Sequence, residues 1–210
     1  MFCPGSAVAE LGVVTKLLLA IARDGVDDRA LAMRICRACV DGLDVDGAAI
    51  SLQTASVARQ TLAVTDATAE LLEDLQFTLS EGACMEAART GSPVLVADLQ
   101  HSGEVARWPV FAAAVLERSA VRAVFALPLQ WGAVNLGVLD LYRLQPGLLD
   151  DEQLRDAIMT ADTAALMMLG LRTDPDQDGV GWLDHAVAHR AEIHQATPPA
   201  VCSGRLDGWP

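Results

Sequence analysis

Basic residues are scarce in this chain of 210 residues. Fifteen lysines and arginines stand against 28 aspartates and glutamates, so the formal net charge is −13 at pH 7. A protein with this negative charge repels the phosphate backbone of nucleic acids. The sequence contains no local basic patch that would offset the repulsion. We therefore expect that binding of nucleic acid by this chain alone is disfavoured.

Long apolar runs and paired cysteines are also missing. No stretch approaches the roughly 18 apolar residues that a membrane span requires. The run from Leu17 to Ala22 is short, and no basic segment precedes it as in a signal peptide. The five cysteines, at positions 3, 36, 39, 84 and 202, are an odd number and too sparse for a disulfide scaffold. These absences predict a cytoplasmic protein that has no membrane partner.

Apolar residues are plentiful, at 52% of the chain, and the mean hydropathy is +0.30. Such a chain can bury a sizeable core. At both ends the apolar residues recur at spacings of three and four, which predicts helices over residues 7–23 and 150–171. Between these, an Asp27 or Asp28 cap predicts a helix ending near Gly42. The two terminal seams are nearly heptad, so we predict a homodimer formed through them.

The middle of the chain alternates with a period of two, which is typical of strands. Segments 47–54 and 61–66 predict one hairpin, 122–130 and 133–143 a second, and 92–99 a short strand. Helical spacing returns over 67–76 and 108–119, and Pro128 indicates an edge or bulge in its strand. The predicted fold class is α+β, an antiparallel sheet of five or six strands. The terminal helices cover one face, and residues 67–119 cover the other and form the roof of a pocket.

Three segments carry a resemblance to a known family. They are "LQFTLSEGACMEAARTGSPVLVADL" (75–99), "RWPVFAAAVLERSAVRAVFALPL" (107–129) and "LGVLDLY" (136–142). In this order and spacing they resemble the GAF domain, a small-molecule sensor module related to PAS. The resemblance covers residues 27–171 and implies a regulatory protein that binds an unknown small molecule, with no cofactor and no enzymatic activity. The Asn-Lys…Phe…Asp-Glu run of nucleotide-binding members is absent, so a cyclic nucleotide is not the predicted ligand.

The C-terminal segment "HRAEIHQAT" (189–197) resembles the first turns of ANTAR, an RNA-binding antiterminator domain that follows GAF in actinobacterial regulators. Pro198 and Pro199 interrupt that helix, and proline costs a helix interior ~3 kcal/mol. We therefore predict an RNA-binding output that has been lost. The predicted boundaries are an N-terminal helix (1–26), the GAF domain (27–171), an acidic linker (172–181), an ANTAR remnant (182–197) and a disordered tail (198–210).

The candidate ligand pocket lies between the sheet and its roof. Asp140 stands out because it lies in an otherwise apolar strand, and a buried carboxylate must be paired or hydrogen-bonded. The sequence does not decide whether it faces the pocket or the open face. We expect the pocket to be lined by Phe77, Cys84, Trp108, Phe111, Asp140 and Tyr142.

Cys84 supports an alternative function. It follows Gly82 at the start of a predicted helix, where the helix N-terminus favours a reactive thiolate. GAF-fold enzymes that reduce free methionine sulfoxide are similar in placing a cysteine near this turn. The alternative is therefore a thiol-based redox sensor or a reductase of that type. Residues 85–130 supply no second cysteine, and a small buried side chain is the simpler interpretation of Cys84.

Several weaker patterns do not lead us to predict a metal site. Cys36 and Cys39 form "CRAC" one helical turn apart, with no second ligand pair for zinc. "DPDQDG" (174–179) opens like a calcium loop, but position twelve is His185 rather than glutamate. His185 and His189 lack the glutamate of a HExxH enzyme, and His101 has no neighbour that indicates haem. Core packing and solvent exposure account for these residues.

Overall fold

The computed structural model describes residues 12–14, 16, 18, 28–53, 59–132 and 134–168. Most of the predicted N-terminal helix (1–26) lies outside this part of the chain. The acidic linker, the ANTAR remnant and the predicted disordered tail lie outside it as well, and so do the "DPDQDG" segment, His185 and His189. No described helix has both the length and the apolar composition needed to cross a membrane.

Six helices and five strands make up the part of the chain described from residue 28 onward. In chain order they are α1 (Asp28–Gly42), β1 (Gly47–Gln53), β2 (Arg59–Val64), α2 (Ala67–Leu79), α3 (Ala83–Thr90), β3 (Val94–Val96), α4 (Ser102–Arg107), α5 (Pro109–Arg118), β4 (Ala123–Trp131), β5 (Val134–Arg143) and α6 (Asp151–Met168). The two hairpins and the helix that begins at Pro109 confirm the periodicity analysis. Residues 102–107 form a further helix, α4, which the periodicity did not predict.

The strands form one antiparallel sheet in the order β2-β1-β5-β4-β3. This confirms the predicted α+β class, and it makes β5 the central strand. Pro128 is tolerated within β4 because, among the described residues, β3 pairs with β4 only from Val124 to Ala126. The amide that proline lacks is therefore not needed on that side. A register shift follows at Leu129/Gln130.

One face of the sheet packs against α1 and α6. Side chains that alternate along β1, β4 and β5, such as Ile50, Phe125 and Leu139, join apolar residues of the two helices in one core. The N-terminal segment packs there too. Val14 and Leu18 are fully buried, and the Val14 amide donates to Asp156 Oδ2 of α6 at 2.9 Å. The terminal helices therefore cover one face of the sheet, as predicted.

The other face of the sheet is covered by α2, α3 and α5. Its core is separate and contains Val124, Val138, Trp108 and Phe111. The Trp108 and Phe111 rings meet edge to face, with centroids 6.5 Å apart. This layer is the roof that the sequence predicted over residues 67–119, and the residues discussed below lie beneath it.

Candidate functional site

Asp140 lies at the centre of the sheet face that the roof covers. In the strand register it is opposite Ala49 of β1 and Ala126 of β4. Both neighbours have only a methyl group, so the sheet leaves room above the carboxylate. Because side chains alternate along a strand, Asp140 shares this face with Val138 and Tyr142. Asp140 therefore faces the roof rather than α1 and α6, which the sequence left undecided.

Cys84 approaches Asp140 from the first turn of α3. Its thiol is fully buried, and Sγ donates to Asp140 Oδ2 at 2.6 Å. Ser51 Oγ of β1 lies 3.8 Å from the same sulfur. The amide of Cys84 donates to Gln76 Oε1 at 2.8 Å, so α2 supplies the cap for the start of α3. These contacts fix the position of the thiol from three sides.

The start of α3 depends on Gly82. Gly82 is the N-cap residue with φ +116°, a conformation that side-chain-bearing residues rarely adopt. A Cβ at this position would lie 2.6 Å from Gln76 Oε1. Glycine therefore allows the chain to turn closely over Gln76 and to bring Cys84 against the sheet.

Glu73 of α2 completes a group of three titratable side chains. Its side chain is buried, with 6% of the residue exposed. One carboxylate oxygen of Glu73, Cys84 Sγ and one oxygen of Asp140 all lie within 4.8 Å of one another. We call Glu73, Cys84 and Asp140 the Cys84 cluster. Its members come from α2, α3 and β5, so only the folded chain brings them together.

Glu73 lines two small cavities. A cavity of about 10 Å³ borders Asp140, Glu73, Gln76 and Tyr142. A larger one, of about 120 Å³, is lined by Ser51, Thr61, Glu73, Asp74 and Phe77. Polar side chains thus converge from the sheet and from α2 on a space beside the Cys84 cluster. This combination of space and convergent polar groups is typical of a binding site.

The predicted pocket residues separate into two groups. Cys84, Asp140 and Tyr142 lie close together, and Phe77 lines the larger cavity with 59% of its surface exposed. Trp108 and Phe111 border neither of these two cavities, and both are buried in the roof core. The structure therefore places the two aromatic residues of the "RWPVF" segment in the packing of the roof.

Tyr142 is held at the edge of the small cavity by the start of α2. Its hydroxyl donates to Asp66 Oδ1 at 2.9 Å. Burial, followed by the hydrogen bond and the negative charge of Asp66, raises the pKa of Tyr142 to about 12. Tyr142 therefore stays protonated at neutral pH and acts as a hydrogen-bond donor.

The negative potential of the Cys84 cluster extends through the sheet. Cys36 lies in α1 on the opposite side, within the other core. Burial raises the pKa of the Cys36 thiol well above its ordinary value, and the charges of Glu73 and Asp140 raise it further. Cys36 is therefore a protonated, packed thiol, in line with the prediction that "CRAC" belongs to the core.

Sequence reasoning missed Glu73, Gln76 and Ser51. The signal for the first two was present in α2, where the buried positions are Ala69, Leu72, Glu73, Leu75 and Gln76. Two polar residues one turn apart on an otherwise apolar face indicate a polar site. Ser51 carried a weaker signal, because it alternates with Ile50 and Leu52 and reads equally well as a solvent-facing residue.

Comparison with known families identifies the class of protein. A family model described as GAF domain matches residues 26–168. The chain belongs to the GAF domain family, as the resemblance implied. No curated protein matches the chain significantly. The match ends at residue 168, so the relationship of segment 182–197 to ANTAR stays a prediction.

Solved structures of the same fold include a GAF domain of a phosphotransferase and two reductases. The chain is similar to the GAF domain of a phosphoenolpyruvate-protein phosphotransferase from Coxiella burnetii, with 14% identity, a TM-score of 0.58, and coverage of 76% of this chain and 92% of that one. It is also similar to free methionine-R-sulfoxide reductase from Neisseria meningitidis in complex with its substrate, with 15% identity, a TM-score of 0.52, and coverage of 74% and 86%. A further similar structure is fRMsr of Staphylococcus aureus in its reduced form, with 14% identity, a TM-score of 0.51, and coverage of 74% and 92%.

These similarities correct one prediction. The resemblance to GAF sensors led to the prediction that the chain is not an enzyme. Because the fold also serves reductases of free methionine sulfoxide, the GAF fold does not exclude catalysis. The prediction that the chain is not an enzyme was wrong because it rested on the fold alone. A fold supplies a scaffold, and catalysis depends on the side chains that the scaffold carries.

Proposed function

We propose that this GAF protein is a signal sensor whose small-molecule ligand binds between the sheet and the roof, against the Cys84 cluster. The observation that carries the proposal is the convergence of Glu73, Cys84 and Asp140 beside two cavities that Glu73 lines. Buried polar groups are expensive to maintain in a core. Their concentration at one point under the roof is accounted for by a ligand that uses them.

The size and chemistry of the site limit the ligand. A space of about 120 Å³ is smaller than the ~300–1,000 Å³ of pockets for drug-sized molecules. Carboxylates at Glu73, Asp74 and Asp140 accept hydrogen bonds and attract positive charge. The site therefore suits a ligand of few heavy atoms that has donor or cationic groups. An anionic ligand would be repelled.

A route for the signal leads through β5. Asp140 faces the roof, whereas Leu139 and Leu141 on either side of it face the core shared with α6. A ligand that displaces Asp140 would therefore shift the packing of α6. This arrangement supports the proposal that ligand binding acts on the terminal helices, through which we propose that two chains associate.

We further propose that the protein derives from a GAF–ANTAR antitermination regulator and has lost its RNA-binding output. The support is the sequence resemblance at 182–197, the two prolines that follow it and the net charge of −13. Anisotropy titration with hairpin RNA at moderate salt should show no specific binding. Submicromolar, sequence-dependent binding would contradict this part of the proposal.

The sensor proposal is tested by ligand capture. Protein purified from its own host is analysed by native mass spectrometry, and the released small molecules are tested for thermal stabilisation of the ligand-free protein. Asp140→Asn should abolish the stabilisation. Glu117→Gln changes an exposed glutamate of α5 in the same manner and should leave it unchanged. Equal stabilisation of the wild type and Asp140→Asn would place the ligand elsewhere.

The contact between Cys84 and Asp140 also favours a second function, thiol chemistry. Asp140 is positioned to take the thiol proton, and the thiolate would attack the electrophilic sulfur of a sulfoxide. The proton would return to the sulfoxide oxygen, the sulfur–oxygen bond of the sulfoxide would break, and the hydroxyl group would pass to the Cys84 sulfur. The products are a cysteine sulfenic acid and a thioether, and an external thiol would then reduce the sulfenic acid. This candidate is supported by the S···O distance of 2.6 Å and by the reductases that share the fold.

Thiol trapping distinguishes this second function. Mass spectrometry with a sulfenic-acid probe, after exposure to methionine sulfoxide, should label Cys84 in the wild type and nothing in Cys84→Ser. Cys36→Ser removes a buried thiol beneath the opposite face of the sheet and should leave labelling intact. Absence of labelling and of methionine formation in the wild type would exclude the reductase interpretation.

A further inference from the structure

Three potential metal ligands of mixed type converge under the roof. The donor atoms are the sulfur of Cys84 and one carboxylate oxygen each from Glu73 and Asp140, within 4.8 Å of one another. The three residues come from a strand and two helices that are held together by a hydrogen bond between α2 and α3. A zinc ion lies about 2.0–2.3 Å from each of its ligand atoms. The three side chains would therefore rearrange around the ion, and Sγ and Oδ2, which are 2.6 Å apart here, would separate.

We infer that Glu73, Cys84 and Asp140 form a binding site for a divalent zinc ion. The inference deepens the proposed function, on which it rests, by naming the class of ligand that the Cys84 cluster receives. The ion either is the signal itself or holds the signal molecule at its open position.

Charge favours a cation at this point. Two carboxylates and a thiol lie together in a part of the molecule largely removed from water. In the structure the thiol proton lies between Cys84 Sγ and Asp140 Oδ2. Zinc would replace this proton: the sulfur–hydrogen bond breaks, a sulfur–zinc bond forms, and one proton leaves to solvent. The dication then offsets two of the three negative charges that the ligands carry.

The surroundings provide an open coordination position. Three protein ligands leave the fourth tetrahedral position of zinc for water or a signal molecule. The cavity of about 10 Å³ beside Glu73 and Asp140 is large enough for about one water. Glu73 also lines the larger cavity, on the side of Phe77.

The donor set selects the type of metal. Calcium and magnesium prefer six or more oxygen ligands, and a thiolate does not suit them. A cuprous ion prefers several sulfur ligands, whereas Cys84 supplies one. Zinc accepts sulfur together with carboxylate oxygen and tolerates three protein ligands. Cobalt(II) adopts the same geometry and gives a thiolate charge-transfer absorption, so it serves as the spectroscopic probe.

The test uses the full chain, stripped of metal with a chelator. His185→Ala/His189→Ala serves as the background, because this pair at spacing i, i+4 could bind zinc independently of the cluster. Competition with a chromophoric chelator should show one zinc ion per chain. Loss of a residue that merely supports a metal ligand costs about 10–100-fold in affinity, so Cys84→Ser and Asp140→Asn should each weaken binding by more than about 100-fold.

The matched control is Cys36→Ser, which changes a buried cysteine beneath the opposite face of the sheet. It should retain both the zinc affinity and the cobalt charge-transfer band, whereas Cys84→Ser should lose the band. Circular dichroism of each variant establishes that it is folded. Glu73→Gln provides a further folded variant if one of the others fails to fold, and it should also lose affinity.

Two outcomes would overturn the inference. One is the absence of stoichiometric zinc binding by the folded background protein. The other is zinc affinity, or a cobalt–thiolate band, that survives in Cys84→Ser. The proposed function is judged separately, by ligand capture from the host and its dependence on Asp140. A protein that captures an organic molecule through Asp140 but binds no zinc would refute this inference and leave the sensor proposal standing.

Discussion

Asp140 and Gly82 show how single residues create the candidate site. Asp140 is a carboxylate among apolar neighbours, and the alanines on either side of it make room for Cys84. Gly82 lets the chain turn tightly over Gln76 before α3 begins. A carboxylate at 140 is not explained by core packing, because burial of a charged group is costly. Residues that contradict the local pattern are expected at functional sites.

Replacement of Gly82 by alanine tests the turn. The new methyl group would meet Gln76 and would also require a positive φ of 116°, so we expect a loss of ~1–3 kcal/mol in the free energy of unfolding. Gly132→Ala is the control, because its φ is +59° and a Cβ there meets nothing within 4 Å. Urea denaturation should show a smaller loss for the control, and equal losses would indicate backbone strain without the clash.

Asp66, the N-cap residue of α2, makes the stability of the fold depend on pH. Burial alone would raise its pKa, but hydrogen bonds from Thr65, Ala69, Tyr142 and Thr68 outweigh burial and lower it. A carboxyl group whose pKa is lower in the folded state stabilises the fold above its unfolded value of about 3.9. That stabilisation is lost as the pH falls through the folded value.

We therefore expect Asp66→Ala to cost ~1 kcal/mol of stability at neutral pH, the typical value of an N-cap residue. The difference from the wild type should shrink as the pH falls below the unfolded value of about 3.9 and protonation removes the charge of Asp66. Asp66→Asn retains a capping oxygen and should remove the pH dependence with a smaller loss at neutral pH. Urea denaturation at both pH values measures this, and a difference independent of pH would contradict it.

At the scale of elements, local chemistry predicted most of the boundaries. The alternation in 122–143 predicted the hairpin of β4 and β5, and the helix predicted over 108–119 is α5, which begins one residue later, at Pro109. The sequence did not predict α4, because six residues carry too little apolar periodicity. It also did not bring Glu73 to Cys84, because that contact depends on how α2 and α3 cross the sheet. Contacts between residues far apart in the chain leave no pattern in a short stretch of sequence.

A hydrogen bond between a backbone amide and a side-chain carboxylate joins the N-terminal segment to α6. Asp156 is buried, and its Oδ2 accepts from the Val14 amide. Asp156→Ala should expose that amide to exchange and lower stability by ~1–3 kcal/mol, the cost of a buried donor left without its acceptor. Hydrogen exchange measured by mass spectrometry should show faster labelling around Val14. Asp151→Ala, at an exposed position of the same helix, should leave it unchanged.

At the scale of the whole molecule, the predicted homodimer depends on which apolar side chains of the terminal helices remain exposed to contact a second chain. The near-heptad seams of residues 7–23 and 150–171 suggested that both helices face a partner. The structure buries Leu18 of the first seam, and Val14 in the same segment, against the domain itself. These residues contribute to the core of one chain. A dimer through the terminal helices must therefore use residues on the surface of these helices that faces away from the sheet.

Val13 supplies the discriminating variant, because 60% of its surface is exposed in the single chain. If the homodimer forms through the N-terminal segment and α6, Val13→Glu should convert it to a monomer. The melting temperature of the isolated domain should stay unchanged, because surface substitutions usually alter stability by less than about 0.5 kcal/mol. Leu18→Glu places a charge in the core and should lower the melting temperature instead. Light scattering coupled to size exclusion, at micromolar concentration, measures the mass of each variant. A wild-type mass of 22.2 kDa would refute the dimer, and a Val13→Glu protein that remains dimeric would move the interface away from the N-terminal helix.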